Sequence, residues 1–347
     1  MRPFTYDTAR SVDEALQMMG RAQEQQGRGQ QARFLAGGTT LVDLMKLDVE
    51  TPAHVIDITG VRELAAYDVS AAKTGAGELV FGALAHMSDV ADDPTVRALY
   101  PALSESLWKA ASQQLRNMAT IGGNLLQRTR CAYFRAPEYP CNKREPGSGC
   151  SAIEGISRGH AILGVSDQCI AVYPSDLAIA LAAFDAVVDT IAPHGTRSIP
   201  LLELHRLPGS TPHLETTLAE DELITRVRVP VTRAGKASTY QKIRDRESYA
   251  FALTSAAVAL DLDAAGRVLD ARIALGGVAS VPWRAREAER SLIGETVTET
   301  SARRAGEIAF AGAQTTAQNA FKVPLGIATV VESLLIARDR ADGGAGR

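Results

Sequence analysis

One segment of this chain constrains its fold more than any other feature, because it contains every cysteine. The 347 residues include four cysteines: Cys131, Cys141, Cys150 and Cys169. The segment opens with a Gly-Gly turn in Ala119 to Leu125 and closes with Ser175-Asp176. A backbone without Cβ can approach a ligand closely, so the turn suits a phosphate-bearing cofactor. Four thiols in one segment suggest a metal centre beside it.

The composition is that of an ordinary globular protein and excludes several classes. Hydrophobic residues make up 46%, charged residues 22%, and the net charge is −3, which gives no nucleic-acid signature. No apolar run approaches the roughly 20 residues that a membrane span needs. The N-terminus lacks the apolar core of a signal peptide. We therefore expect a cytoplasmic protein, or one exported together with a signal-bearing partner.

A second Gly-Gly turn lies near the N-terminus. Arg33 to Ala36 is typical of a buried strand, which continues into Gly37-Gly38-Thr39-Thr40, and Leu41 to Leu47 is then typical of a helix. Strand, Gly-Gly-Thr turn and helix form a phosphate-binding arrangement, in which turn amides and a helix N-terminus face the anion. The alternative is an ordinary tight turn between a strand and a helix.

The remaining pattern predicts α+β structure with a boundary near residues 232–236, which are polar and rich in breakers. Further strands are predicted at His54–Ile58, Leu79–Gly82, Ala186–Ile191, Glu222–Val229, Ser238–Lys242, Thr254–Leu262 and Val268–Leu275. Helices are predicted after Ser11, near Met87, from Pro101, at Asp176–Phe184, Trp283–Leu292, Ser301–Ala317 and Pro324–Arg338. The Gly-rich tail 341–347 is predicted to be disordered.

The two glycine turns are more informative together than separately. Neither Gly-x-Gly-x-x-Gly nor the Walker lysine motif occurs, which disfavours Rossmann and P-loop nucleotide sites. Gly37-Gly38 and Gly122-Gly123 each have hydroxyl or amide side chains beside them. Two convergent turns rich in backbone amides can hold a pyrophosphate without a cationic side chain.

At this point the sequence resembles a known family. Phe34 to Asp43 resembles the first flavin loop of the FAD-binding subunit of molybdenum hydroxylases, the group of xanthine dehydrogenase, aldehyde oxidoreductase and carbon monoxide dehydrogenase. Ala119 to Leu125 resembles the second loop, and Ser175-Asp176 the Ser-Asp pair of the family. The C-terminal motifs are similar as well: Gln241 to Arg244, Gly276 to Ala279 with Pro282 to Arg284, and Phe321 to Pro324.

The resemblance implies a fold and a set of FAD contacts. The fold is a two-lobed FAD domain of the vanillyl-alcohol-oxidase type at residues 1–230, followed by a small antiparallel sheet packed on helices at 235–340. Asp176 is expected to accept a hydrogen bond from ribose, and Lys242 to lie near the flavin. The implied contact residues are Phe34, Leu35, Ala36, Gly37, Gly38, Thr39, Thr40, Leu41, Val42, Ala119, Thr120, Gly123, Asn124, Gln127, Asp176 and Lys242.

The cysteine spacing leaves three kinds of site open. Nine, eight and eighteen residues separate successive cysteines, whereas structural zinc sites usually use short-spaced pairs. Disulfides would need an oxidising compartment, and an iron–sulfur cluster tolerates wide spacings. Five nearby cations would offset the charge of such a cluster: Arg128, Arg130, Arg135, Lys143 and Arg144.

Most FAD subunits of the family lack the segment at about 126–172. The chain most resembles the FAD subunit of heterotrimeric bacterial aldehyde oxidoreductases, where the corresponding insertion binds a [4Fe-4S] cluster. The resemblance therefore implies that the four cysteines are ligands of a [4Fe-4S] cluster. It also implies two partners, a large molybdenum-cofactor subunit and a small [2Fe-2S] subunit.

The implied role is electron transfer. Substrate is oxidised in the large partner, electrons pass through the [2Fe-2S] clusters to FAD, and FAD delivers them to an external acceptor. No catalytic acid or base is expected in this chain. Two other functions remain open from the residues alone: a stand-alone flavin oxidoreductase, which the glycine turns would suit, and a zinc-binding scaffold, which only the cysteines would suit.

Overall fold

The computed structural model describes residues 1–25 and 32–343. Its N-terminal lobe is a three-stranded parallel sheet in the order β1-β3-β2. The apolar face of its long helix packs on this sheet through Ala15, Leu16 and Met19. The elements are β1 (Thr5–Thr8), α1 (Val12–Gln25), β2 (Ala32–Leu35), α2 (Leu41–Lys46) and β3 (His54–Asp57).

The second lobe is a five-stranded sheet covered by short helices, with strand order β4-β5-β8-β6-β7. Its strands are β4 (Tyr67–Asp68), β5 (Glu78–Gly82), β6 (Val187–Ala192), β7 (Gly195–Pro200) and β8 (Leu223–Pro230). Its helices are α3 (Ala71–Thr74), α4 (Met87–Asp92), α5 (Pro94–Leu99), α6 (Pro101–Trp108), α7 (Gln113–Arg116), α8 (Ile121–Leu125), α9 (Ala132–Arg135), α10 (Ser151–Glu154), α11 (Asp176–Ala183) and α12 (Leu201–Leu204). The alanine-rich α11 is wholly buried, which suits its apolar surface on every side.

The C-terminal part is an antiparallel sheet in the order β12-β11-β10-β9, packed against helices. Its elements are β9 (Ser238–Ile243), β10 (Thr254–Leu262), β11 (Val268–Gly276), β12 (Trp283–Arg284), α13 (Arg286–Arg290), α14 (Glu299–Ala309) and α15 (Lys322–Ala341). Together the three sheets confirm the predicted α+β class, with two lobes followed by a small antiparallel sheet packed on helices.

Two predicted helices of this last part were wrong in extent. Trp283 and Arg284 form β12, which pairs with Ala274 and Leu275 of β11, so the helix begins only at Arg286. The next helix ends at Ala309 rather than Ala317, because the chain there turns and Gln314 N donates to Ile162 O. Residues 344–347 of the predicted tail lie outside the described residues.

The cysteine segment is attached to the C-terminal sheet. Ile162 and Leu163 belong to its hydrophobic core, and their backbone N–H groups donate to Val278 O at 2.8 and 3.0 Å. Tyr173 N donates to Ala279 O at 3.0 Å. The segment is therefore built onto a domain that lies later in the chain.

Candidate functional site

A large cavity lies between the two N-terminal lobes, with a volume of about 1310 Å³. Pockets for drug-sized ligands usually measure about 300–1,000 Å³, so this one has room for a dinucleotide. Both glycine turns line it, and Asp176 and Lys242 lie on its wall.

The first glycine turn touches the segment that leads into the second. A Cβ added to Gly37 would lie 1.7 Å from the backbone oxygen of Met118, and so any side chain there would push the two turns apart. Gly38 has φ +71°, in the left-handed region that favours glycine. Both residues are therefore required by local backbone geometry.

The second turn is held by its own threonine and by a neighbouring strand end. Thr120 caps α8, and its Oγ1 accepts a hydrogen bond from Gly123 N at 3.2 Å. Gly122 N donates to Ala83 O at 2.8 Å, and Ile121 N donates to Ala85 O at 3.0 Å. These hydrogen bonds therefore fix the backbone of the turn, as a preformed phosphate-binding site requires.

A buried polar network joins the second turn to the C-terminal sheet. Ser175 Oγ donates to Asn124 Oδ1 at 2.5 Å. Tyr240 Oη and Lys242 Nζ donate to the two oxygens of Asp176 at 2.6 and 2.7 Å. Burial raises the pKa of Asp176, and Lys242 opposes that rise. Sequence reasoning singled out Asp176 and Lys242 but missed Tyr240, which holds Asp176 in place.

The structure brings nearly all of the predicted flavin contacts to one place. Every one of them lines the cavity except Val42, whose side chain packs against Gly38 instead. The glycine cradle, the hydroxyl groups and the cavity volume fit a flavin dinucleotide. Other lining residues lie outside the family motifs: Arg33, Leu115, Arg130, Arg135, Tyr249 and Phe251.

The four cysteines line a second, much smaller cavity. All four are free thiols, so the disulfide alternative is not realised here. Burial raises the pKa of Cys131 to about 11, and burial likewise raises the pKa of Cys169. Such thiols stay protonated at neutral pH unless a metal displaces the protons.

The arrangement of the thiols bears on the kind of metal. Within residues 1–25 and 32–343, no three His, Cys, Asp or Glu side chains lie close enough to surround a single metal ion. Zinc needs four ligands at about 2.0–2.3 Å from one point, whereas a cuboidal cluster separates its four thiolates. The described residues therefore contain no preformed site for a single metal ion at the thiols.

His160 is a neighbour of the thiols that sequence reasoning missed. Its Nε2 lies 3.2 Å from Cys131 Sγ, and its ring is buried. Burial lowers the pKa of His160, as does Lys322 close by. A neutral imidazole beside a thiolate would donate through Nε2. Its position 29 residues from Cys131 gave no spacing signal.

The five cations singled out around the cysteines are largely paired with protein groups. Arg128 binds Glu50 and Glu215, and Arg144 donates to backbone carbonyls, including Tyr133 O and Phe134 O. Of the five, only Lys143 lines the cysteine cavity itself. The cations therefore shape the segment more than they neutralise its centre.

The chain matches two family models, one for each part. Residues 2–232 match the FAD binding domain in molybdopterin dehydrogenase, and residues 238–332 match the CO dehydrogenase flavoprotein C-terminal domain. The chain thus belongs to the FAD-binding subunits of the molybdenum hydroxylase family. None of the helices in the described residues is long and apolar enough to cross a membrane.

Individual relatives agree with the family models. The chain is 48% identical to the aldehyde oxidoreductase FAD-binding subunit PaoB of Escherichia coli, over 98% of this chain and 100% of that protein. It is 27% identical to the glyceraldehyde dehydrogenase medium chain of Sulfolobus acidocaldarius, over 85% and 83%. The carbon monoxide dehydrogenase structure from Hydrogenophaga pseudoflava superposes with a TM-score of 0.73 at 26% identity, over 98% of each chain.

Proposed function

We propose that this chain is the FAD-binding electron-transfer subunit of a heterotrimeric, molybdenum-dependent aldehyde oxidoreductase. The observation that carries the proposal is the paired glycine cradle in a cavity of about 1310 Å³, within a chain 48% identical to an aldehyde oxidoreductase FAD-binding subunit. The partners would be a large molybdenum-cofactor subunit and a small [2Fe-2S] subunit. On this proposal the chain works in the cytoplasm, unless a signal-bearing partner carries the folded complex to the periplasm.

Different residues of the cavity would bind different parts of FAD. Backbone amides of Gly37 to Thr40 would bind the diphosphate. Gly123, whose own N–H donates to Thr120 Oγ1, would let the diphosphate approach closely because it has no Cβ. Asp176 would turn one oxygen to a ribose hydroxyl, and Lys242 would lie beside the ring. When bound, FAD would accept electrons from the partner and pass them to an external acceptor. The FAD domain would span 1–230 and the C-terminal domain 235–340.

We also propose that Cys131, Cys141, Cys150 and Cys169 ligate a [4Fe-4S] cluster in the segment at about 126–172. Their shared cavity, their free thiols and the spacing unsuited to a single ion support this. Such a cluster would supply a one-electron site next to the flavin. The protein would hold the thiolates apart and exclude water, since Phe134 and Ala152 pack against them.

The visible spectrum of the purified, unmutated complex tests both parts of the proposal. Flavin bands must accompany broad iron–sulfur absorption. A metal analysis of the same sample must find four iron atoms per chain beyond those of the [2Fe-2S] partner, which is the content of one [4Fe-4S] cluster. Flavin without any iron–sulfur absorption would favour a stand-alone flavoprotein. Zinc in stoichiometric amount would refute the cluster.

The dependence on partners needs a separate test. Co-expression with the neighbouring genes is expected to give a stable complex that oxidises aldehydes, while the isolated chain oxidises none. A monomer that oxidised aldehydes unaided would contradict the proposal, which places aldehyde oxidation in the molybdenum partner.

A further inference from the structure

Two arginines of the cysteine segment share a single carboxylate at the wall of the flavin cavity. Arg130 Nη1 lies 3.2 Å from Asp43 Oδ2, and Arg135 Nη2 lies 2.8 Å from the same oxygen. All three side chains line the cavity. Asp43 is in the first turn of α2, directly after the first glycine turn. The arginines are thus brought to the glycine cradle from a segment about ninety residues away.

Each guanidinium also has a buried N–H without a partner. Arg130 Nε and Arg135 Nη1 are inaccessible to solvent and make no hydrogen bond to any described residue. Buried polar atoms are almost always satisfied in native proteins, so unsatisfied ones need an explanation. The requirement is stronger for charged donors, because leaving them unpaired costs more than leaving neutral ones.

The local charge also calls for an anion. Two guanidinium groups face one carboxylate, which leaves a net positive charge. Phe251 stacks on Arg130 at 5.1 Å and fixes the plane of its guanidinium. Glu50 and Glu215 are already paired with Arg128, so these carboxylates do not offset the charge of Arg130 and Arg135.

These features select the chemistry of the ligand. A cation is excluded by the charge, and an apolar group would leave the excess positive charge unpaired. Planar guanidinium groups match the paired oxygens of phosphate and carboxylate groups. Two guanidinium groups that share one carboxylate at the wall of the flavin cavity therefore fit an oxyanion that enters it.

We propose that Arg130 and Arg135 form an oxyanion site, of phosphate or carboxylate class, on the wall of the flavin cavity. The proposal rests on the proposed function, since the cavity is that of the flavin. Two sources share this chemistry: the diphosphate of FAD itself, and an anionic acceptor that enters beside it. The glycine turn next to Asp43 favours the diphosphate.

The site would connect the two cavities mechanically. Arg130 directly precedes Cys131, and Arg135 ends the helix that begins after it. Phe134 in the same turn packs with Leu44 of α2 and with Cys141. A ligand held by the arginines would therefore stabilise the loop that presents Cys131 to the second cavity.

The test uses the double variant Arg130→Gln with Arg135→Gln, in the full complex. FAD is removed, and the dissociation constants of FAD and riboflavin are measured by fluorescence at low and high salt. If the diphosphate is the ligand, FAD binding weakens about tenfold to a hundredfold, from charge-assisted hydrogen bonds of about 1.5–3 kcal/mol. Riboflavin, which has no phosphate, binds unchanged, and the salt dependence of FAD binding becomes shallower.

If the anion is a separate acceptor, FAD binding is unchanged. Inorganic phosphate then inhibits reduction of an anionic acceptor in the unmutated complex, and this inhibition disappears in the double variant. Unchanged FAD binding together with unchanged phosphate inhibition would overturn the proposal. An unmutated complex without flavin would instead refute the proposed function, and phosphate binding to that protein, measured by calorimetry, would still decide the anion site.

Three controls separate the site from folding effects. Arg226→Gln removes an exposed arginine that pairs with Asp189 outside the cavity, and it must leave FAD binding unchanged. Arg135→Lys keeps the charge but not the planar fork, and it must lose part of the affinity. Asp43→Asn removes the carboxylate that both arginines share, and it must strengthen FAD or phosphate binding; weaker binding in this variant would contradict an anion site.

Discussion

The two cavities of this chain are built in opposite ways. The flavin cavity depends on two short turns whose backbones touch, with Gly37 against Met118 and Thr120 capping its own helix. The cysteine cavity depends on distant contacts, because its segment is held by the C-terminal domain through Ile162, Leu163 and Lys322. The turns of the flavin cavity therefore contact each other within the N-terminal lobes, whereas the cysteine cavity depends on the C-terminal domain.

The clearest of those distant contacts is a buried lysine. Lys322 is fully buried, and its Nζ donates to Gly159 O at 3.1 Å and to Gly277 O at 2.7 Å. It thereby joins the cysteine segment to the end of β11. Burial lowers the pKa of Lys322 to about 7, and Arg158 adds to the effect. Because different contacts hold the two cavities, we expect some substitutions to remove flavin and others to remove iron.

Gly37→Val is expected to have the largest effect, with complete loss of flavin. Its Cβ would overlap the backbone oxygen of Met118, which cannot rotate away, and the resulting strain is about 3 kcal/mol or more. Flavin released by acid from the purified complex measures the outcome. Gly20→Val, in open space on α1, is the matched control. Normal flavin content in the Gly37 variant would mean that the two turns do not form the cradle.

Cys131→Ser is expected to remove the extra iron and leave much of the flavin. The thiolate is a ligand in the proposed cluster, while the glycine turns do not depend on it. Some flavin should be lost, because Arg130 is adjacent and the loop would loosen. Iron and flavin are measured on the same sample; unchanged iron would rule out Cys131 as a ligand.

Lys322→Met is expected to cause a partial loss of iron at nearly normal flavin content. The substitution keeps most of the volume but leaves two buried carbonyls without their donor, at about 1–3 kcal/mol each. The rate at which a chelator removes iron is the sensitive measurement. Lys236→Met, at an exposed position, should behave as the unmutated protein. Equal chelation rates in all three proteins would show that the C-terminal domain does not brace the segment.

The smallest expected effect is on the pH dependence of the stability of the second lobe, through Asp189 in its sheet. Burial alone would raise the pKa of Asp189, but hydrogen bonds from Arg228, Ser198 and Arg226 outweigh it and hold the pKa at about 2. The stabilisation is therefore present above the ordinary Asp pKa of about 4 and is lost as the pH falls towards 2.

Asp189→Asn should lower the free energy of unfolding of this lobe by about 1–2 kcal/mol at pH 7, after allowance for solvent screening. The deficit should shrink towards zero near pH 2, where the unmutated carboxyl is also protonated. Thermal unfolding followed by circular dichroism between pH 7 and pH 2 measures it. Asp13→Asn, at an exposed position, is the control. A deficit independent of pH would show that the Arg–Asp cluster does not titrate as described.

The same contrast explains how far the sequence predicted the molecule. The strand, turn and helix around Gly37-Gly38 follow from residue types within a few positions, and they were predicted. The strand at Trp283 was taken for helix because its reason lies in pairing with β11. Tyr240, His160 and the Arg130–Asp43 contact were missed, since each depends on residues at least 29 positions apart that only the fold brings together.

The hydrogen bonds of Lys322 to Gly159 and Gly277 also determine when the cysteine cavity can form during synthesis of the chain. The last cysteine, Cys169, leaves the ribosome about 150 residues before Lys322. At about 5–20 residues per second, that interval lasts roughly 8–30 s. During this interval the carbonyl groups of Gly159 and Ile162 lack their hydrogen-bond donors, because Lys322 and Gln314 have not yet been synthesised. Iron delivered during synthesis would meet four mobile thiols, whereas iron delivered after release would meet an organised cavity. If the proposed cluster is present, its insertion is therefore expected after translation, and a truncation before α15 should produce a chain that binds flavin better than it retains iron.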